Sequence, residues 1–170
     1  MKATTLFLLL LSTLASLSPS VPKSVTEAQV SFVFLSKDVD GSISGFESSS
    51  DIDLQNLEHS KFSGSVAVET LKTGIFLRDW HLKGGKYFDK KKHPRIHFVS
   101  EQVYAEGEDI TVKGLLTIKG ITKPLDFQFQ AKGNRLIGTA NLYTSDFGIH
   151  IKKKREENKV AIKIVLSLAG

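Results

Sequence analysis

Residues Val160–Leu168 read VAIKIVLSL, and this stretch decides the fold. Val160, Ile162, Ile164, Leu166 and Leu168 take every second position, with Ala161, Lys163, Val165 and Ser167 between them. Side chains of a strand alternate between faces, so the stretch presents an apolar row to one side of a sheet. The pattern recurs upstream. Leu125, Phe127 and Phe129 alternate with Asp126, Gln128 and Gln130. Ile110, Val112, Leu116 and Ile118 oppose Thr111, Lys113 and Thr117, and Val66 and Val68 alternate with Ser65 and Glu69. Val30–Leu35 is less clean: Phe32 and Phe34 share one face, Val33 and Leu35 the other. A strand covered on both sides and a strand at a subunit contact both fit.

Turn chemistry separates these runs. Asp40-Gly41, Gly107-Glu108-Asp109, Gly120–Pro124 and Gly133-Asn134 are the expected connections. Seven to nine short strands result. Two short helices are expected, around Asp53–Lys61 and within Trp80–Lys86. Many short, one-sided strands without a long helical period predict an all-β antiparallel sandwich or barrel.

The start of the chain reads differently. Lys2 precedes an apolar run, Leu6–Leu11, that continues diluted to Leu17 and ends in small residues and Pro19. That order predicts a secretory signal peptide over residues 1–20, too short and interrupted to span a bilayer, with an uncleaved anchor or buried helix as the alternative. Cleavage is expected after Ala15 or Ser20; a cut after Ser18 would leave Pro19 just beyond it. Residues 21–170 then form one domain in a periplasmic or secreted protein. There is no cysteine, hence no disulfide framework, and the core must supply the stability. The formal net charge is +5, one unit of it from Lys2 in the leader. Export argues against nucleic acid as a partner; the mild positive balance suits solubility, an anionic ligand or a membrane surface.

Arg78–Pro94, RDWHLKGGKYFDKKKHP, is the densest concentration of chemistry. His93 and His97 are four apart, but Pro94 lies between them and the following residues read as a strand. Positions four apart on a strand are separated by about 13 Å, so the pair cannot chelate one ion. No metal or other cofactor is expected. There is no nucleophile-elbow motif, and Asp51 and Asp53 read as a turn pair more readily than as a general acid and base. The chain is not expected to be an enzyme. The basic runs Lys90–Lys92 and Lys152–Arg155 read as solvated loops, with anionic headgroups at a membrane as the functional counterpart. The ten phenylalanines beyond the leader carry more weight. They either fill the barrel or line a greasy cavity, in which a ligand gains about 0.8 kcal/mol per buried CH₂.

Three ordered blocks then carry a resemblance. Thr73-Gly74, Arg78-Asp79-Trp80-His81-Leu82-Lys83, Tyr87-Phe88-Asp89 and Pro94–Phe98 form the first, Val112–Leu125 the second, and Ser145-Asp146-Phe147-Gly148-Ile149 the third. Together they resemble the YceI-like family, from about Val30 to the end of the chain. The resemblance implies a lipocalin-like antiparallel β-barrel of about eight strands with one or two short helices. It also implies export, a long polyisoprenoid or related amphipathic chain in an elongated apolar cavity, no settled catalytic activity, and dimers in some members. Many members carry Asn-Arg just before the third block, where this chain has Tyr143-Thr144; the arginine that would meet a polar headgroup is absent.

The leading expectation is a binding protein for a polyisoprenoid, isoprenoid quinone or fatty-acyl chain, held for carriage or sequestration. Candidate lining residues are Phe32, Phe34, Phe46, Phe62, Phe76, Phe98, Phe127, Phe129 and Phe147, about half of them facing inward. Polar candidates at the mouth are Arg78, Asp79, His81, Lys83 and Lys86. Arg78 and Asp79 are also expected to pin their loop by a charge-assisted hydrogen bond, with Leu82, Tyr87 and Phe88 docking it on the barrel. A transient membrane-surface contact and a homodimer are compatible with this reading. The alternatives are an interaction module with a filled barrel and, third, a metal-dependent enzyme on the same scaffold.

Overall fold

The alternating stretches become a single sheet. The computed structural model describes residues 21–170, so the expected leader lies outside the described residues. Among the described residues there are nine strands: β1 (Val25–Phe34), β2 (Val39–Ile43), β3 (Glu47–Ser48), β4 (Ser63–Ala67), β5 (Arg95–Glu106), β6 (Asp109–Ile118), β7 (Ile121–Lys132), β8 (Arg135–Tyr143) and β9 (Lys159–Leu168). The one α-helix, α1, is Phe76–Lys83. Every strand pairing is antiparallel, in the order β2-β1-β9-β8-β7-β6-β5-β4-β3.

The sheet curls into a half-barrel with β2 and β3 as its edges. The open side is spanned by the segment between β4 and β5, which carries α1. Ser42 of β2 and Lys72 exchange two backbone hydrogen bonds of 2.9 Å, and the Ala67 N–H donates to the Ser44 carbonyl at 2.9 Å. Leu82 and Phe88 pack onto Ile43, Val66 and Leu71 from this segment.

The inward rows are those the alternation predicts. Leu125, Phe127 and Phe129 are buried while Asp126, Gln128 and Gln130 are exposed. Val160, Leu166 and Leu168 are buried and Ile162 and Ile164 half-buried. One end of the half-barrel is packed solid. Ile52, Val103, Ile110, Val112, Leu136 and Leu168 are buried there, and the Phe62 and Phe129 rings meet above them, tilted by 31° with centroids 5.3 Å apart.

Two expected turns lie elsewhere. Asp40 and Gly41 are inside β2, paired with Val33 and Phe32, because Val39 and Ile43 need a strand to point inward. The reversal is the 3-10 turn Leu35–Lys37, ended by Asp38 at φ 49°. The Gly120–Pro124 connection shrinks to Lys119-Gly120, both at positive φ, as a two-residue hairpin of primed type requires. Pro124 therefore sits in β7 opposite Leu115. Counting from the hairpin, its nitrogen points away from β6, on a stretch that β8 does not pair, so no ladder bond is lost.

The helices also shift. Asp53–Lys61 yields only the 3-10 turn Leu57–His59; the Asp53 carboxylate accepts from the Gln55 and Asn56 N–H groups at 2.9 and 3.1 Å and holds a turn instead. The second helix begins at Phe76, earlier than expected, and ends at Lys83, with Gly84 as its cap. Its start is set by Thr73, described below.

Candidate functional site

Above the packed end lies a cavity of about 820 Å³. That is within the range of roughly 300–1,000 Å³ typical of small-molecule sites. The inward row of β9 supplies Val160, Ile162, Ile164 and Leu166; β1 supplies Val30, Phe32 and Phe34; β6 supplies Leu116 and Ile118. Leu71, Leu82, Tyr87 and Phe88 line it from the segment over the open side.

Phe32, Phe34, Phe46, Phe62, Phe98, Phe127 and Phe129 are among the lining residues, more than the half expected. Phe76 and Phe147 are not. Phe76 is 84% exposed: α1 turns Arg78 and Leu82 inward, which sends Phe76 and Trp80, four apart, outward. Phe147 is 2% exposed and packed in the core outside the cavity, because it belongs to the 3-10 turn Thr144–Phe147, where strand alternation no longer applies.

The wall is kept flat by glycines. Phe32 lies over Gly41 and Phe129 over Gly138, its direct cross-strand partners; Phe98 lies over Gly114. A Cβ at any of the three would overlap the ring above it. The rings thus lie along the wall instead of crossing the interior, and space remains. Glycine inside a strand signals such close approach, but which phenylalanine covers it follows only from the register.

Among the polar candidates, Arg78 and His81 line the cavity; Asp79, Lys83 and Lys86 do not. Arg78 and Asp79 pin their segment by charge-assisted hydrogen bonds, as expected, and do so through a shared partner. Both hold Thr73. Arg78 Nε donates to Thr73 Oγ1 at 2.6 Å and Nη2 to the Thr73 carbonyl at 2.5 Å. Thr73 N–H and Oγ1 donate to Asp79 Oδ1 at 2.8 and 2.5 Å. The threonine hydroxyl, accepting from a cation and donating to an anion, fixes where α1 begins. Lys86 faces solvent, with its ammonium 5.4 Å from the Tyr87 ring.

The other polar feature stands at Thr144, where many family members carry the arginine that this chain lacks. Thr144 lines the cavity, is 6% exposed, and its Oγ1 is buried without a hydrogen-bond partner. A buried hydroxyl of this kind costs free energy until something bonds to it. Beyond it, Arg155 forks onto Asp146 at 2.8 and 2.6 Å and lies 3.7 Å over the Tyr143 ring. The hydrogen bond from Arg155 holds the Asp146 carboxyl below the usual carboxylate range, against the opposing effect of burial. Among the described residues no group of three or more His, Asp or Glu is placed to hold a metal ion.

A family profile described as the YceI-like domain matches residues 22–168. The chain belongs to the YceI-like family. An UPF0312 protein of Photorhabdus laumondii is 34% identical over 93 residues, 55% of this YceI-like chain and 48% of that protein, so the match spans about half of that relative. The crystal structure of BcnA from Burkholderia cenocepacia superposes with a TM-score of 0.73 at 21% identity, over 87% of this chain and 99% of BcnA. A domain from Saccharophagus degradans, described as polyisoprenoid binding and implicated in plant cell wall breakdown, gives a TM-score of 0.59 at 14% identity, over 89% of this chain and 98% of that one. At these identities the two structures establish the fold.

Proposed function

We propose that this YceI-like protein holds one long-chain apolar or amphipathic lipid, of polyisoprenoid, isoprenoid quinone or fatty-acyl type, for carriage or sequestration in the periplasm or outside the cell. The observation that carries the reading is the cavity itself: about 820 Å³, walled by phenylalanine and aliphatic side chains and closed at one end. The description of the Saccharophagus domain points the same way. Such a space favours an apolar chain over water and asks for no specific contact along its length. A filled-barrel interaction module is disfavoured by that volume. The reading is non-enzymatic: Arg78, the one arginine lining the cavity among the described residues, is engaged structurally by Thr73.

In this account Thr144 marks the polar end. Its unpartnered hydroxyl can donate to a carbonyl or carboxylate, or accept from an alcohol, which suits a chain with one oxygen-bearing terminus. The test is a titration with linear prenols of increasing length, read by displacement of an environment-sensitive apolar dye. Affinity is expected to rise about tenfold or more per isoprene unit and to level off once the cavity is full. Thr144→Val should weaken prenol binding about fivefold, the worth of one net hydrogen bond, and leave binding of the matching hydrocarbon unchanged. Affinity independent of chain length would overturn the cavity reading.

A further inference from the structure

The outer face of α1 is apolar where a surface helix is ordinarily polar. Ile75, just before α1, and Phe76, Leu77 and Trp80 in its first turns are 54%, 84%, 59% and 62% exposed. Ile75 and Leu77 also line the cavity, so this patch is the rim of its opening. The surroundings are basic. Residues 72–92 hold seven Lys or Arg and two Asp. Of the acids near the patch, Asp79 is held by Thr73 and Glu69 by Lys90 at 2.5 Å, whereas Lys72, Lys86, Lys91 and Lys92 are exposed.

We infer that this face docks on an anionic phospholipid bilayer and sets the cavity mouth against it. Phenylalanine, tryptophan and leucine on a short helix, flanked by lysines, match the boundary between headgroups and acyl chains. A second copy of the chain fits worse, since a two-fold contact through the patch would bring one basic rim against the other. Docking in this orientation would let an apolar chain pass between bilayer and cavity without crossing water. That consequence rests on the proposed lipid-binding role; the docking itself does not.

Trp80 is the single tryptophan, so the patch carries its own reporter. The experiment adds vesicles to the ligand-free protein and follows Trp80 emission and co-sedimentation. Vesicles of phosphatidylcholine mixed with phosphatidylglycerol should shift the emission to shorter wavelength and sediment the protein, and added salt should weaken the effect. Pure phosphatidylcholine should act far more weakly. Phe76→Ser should bind the mixed vesicles about tenfold less tightly, and Lys91→Gln with Lys92→Gln should lose most of the dependence on anionic lipid. Both should bind prenols in solution as the parent does, which separates failure of docking from failure of the cavity reading. Unchanged Trp80 emission with anionic vesicles, or equal binding by Phe76→Ser, would overturn the inference. So would a lipid-free, concentration-dependent dimer that shields Trp80.

Discussion

Asn158→Ala is expected to cost about 3 kcal/mol of stability, although Asn158 touches neither the cavity nor any charged partner. The side chain is fully buried and all four of its hydrogen-bonding positions are used. Oδ1 accepts from the Ile151 and Lys152 N–H groups at 3.0 and 2.9 Å, and Nδ2 donates to the Lys152 and Lys154 carbonyls at 3.0 and 2.7 Å. One amide thus closes the basic loop between the third sequence block and β9. Alanine would orphan the Ile151 and Lys152 N–H groups and the Lys152 carbonyl, while the Lys154 carbonyl keeps the Glu157 N–H at 3.3 Å. Each buried group left unpaired costs about 1–3 kcal/mol, less where loop movement lets water in. Thermal unfolding should show a midpoint lowered by roughly 10 °C for a domain of this size. A midpoint within a degree or two of the parent (a shift of about half a kcal/mol) would mean that the loop is held by something else.

The second large effect is expected at Gly114. This glycine takes its place in the inward row of β6, between Val112 and Leu116. A Cβ there would overlap the Phe98 ring and also the Val99 carbonyl oxygen of the neighbouring strand. The ring could swing into the cavity; the backbone oxygen cannot move without parting β5 from β6, beside the register shift at Ser100–Gln102. Gly114→Ala should therefore cost about 4 kcal/mol, at the upper end for overpacking, or prevent folding. Gly138→Ala is the control. The three atoms nearest its Cβ all belong to the Phe129 ring, which has the cavity to move into, so a smaller loss is expected. Denaturant unfolding of the pair measures the difference; equal losses would show that the backbone contact is not what matters.

These two residues show where the sequence stops being legible. The inward rows of β6, β7 and β9 could be read directly, because a period of two is visible in one strand alone. The family blocks were legible for the same reason, as fixed residue types in fixed order. Gly114 depends on what lies across the ladder, which no single stretch contains. Asn158 bonds to residues four to seven positions before it, in a loop that has no period to reveal the pairing. Phe76 and Phe147 show a related limit: both were grouped with the lining phenylalanines, yet one sits on a helix whose phase turns it outward and the other in a 3-10 turn. Asp40-Gly41 looked like a turn by composition, but Phe32 opposite needed a position without a side chain. The Thr73–Arg78–Asp79 cluster was half readable. The two charges stand out in sequence, while the threonine they share is identified only by the fold.

The same reasoning explains how a phenylalanine-rich interior stays open. Each ring that lies over a glycine occupies wall and leaves the interior free, so Gly41, Gly114 and Gly138, with Gly64 beneath Phe46, favour a hollow half-barrel over a filled one. The proposed lipid role depends on that outcome more than on any polar residue.

Native mass spectrometry of the protein recovered from cells without detergent or organic solvent shows whether the cavity carries a lipid. The expected main species is heavier than the polypeptide by one apolar chain, the adduct leaving on unfolding and passing into an organic extract. A bare polypeptide mass, unchanged after incubation with long prenols, isoprenoid quinones and fatty acids, would contradict the proposed lipid role.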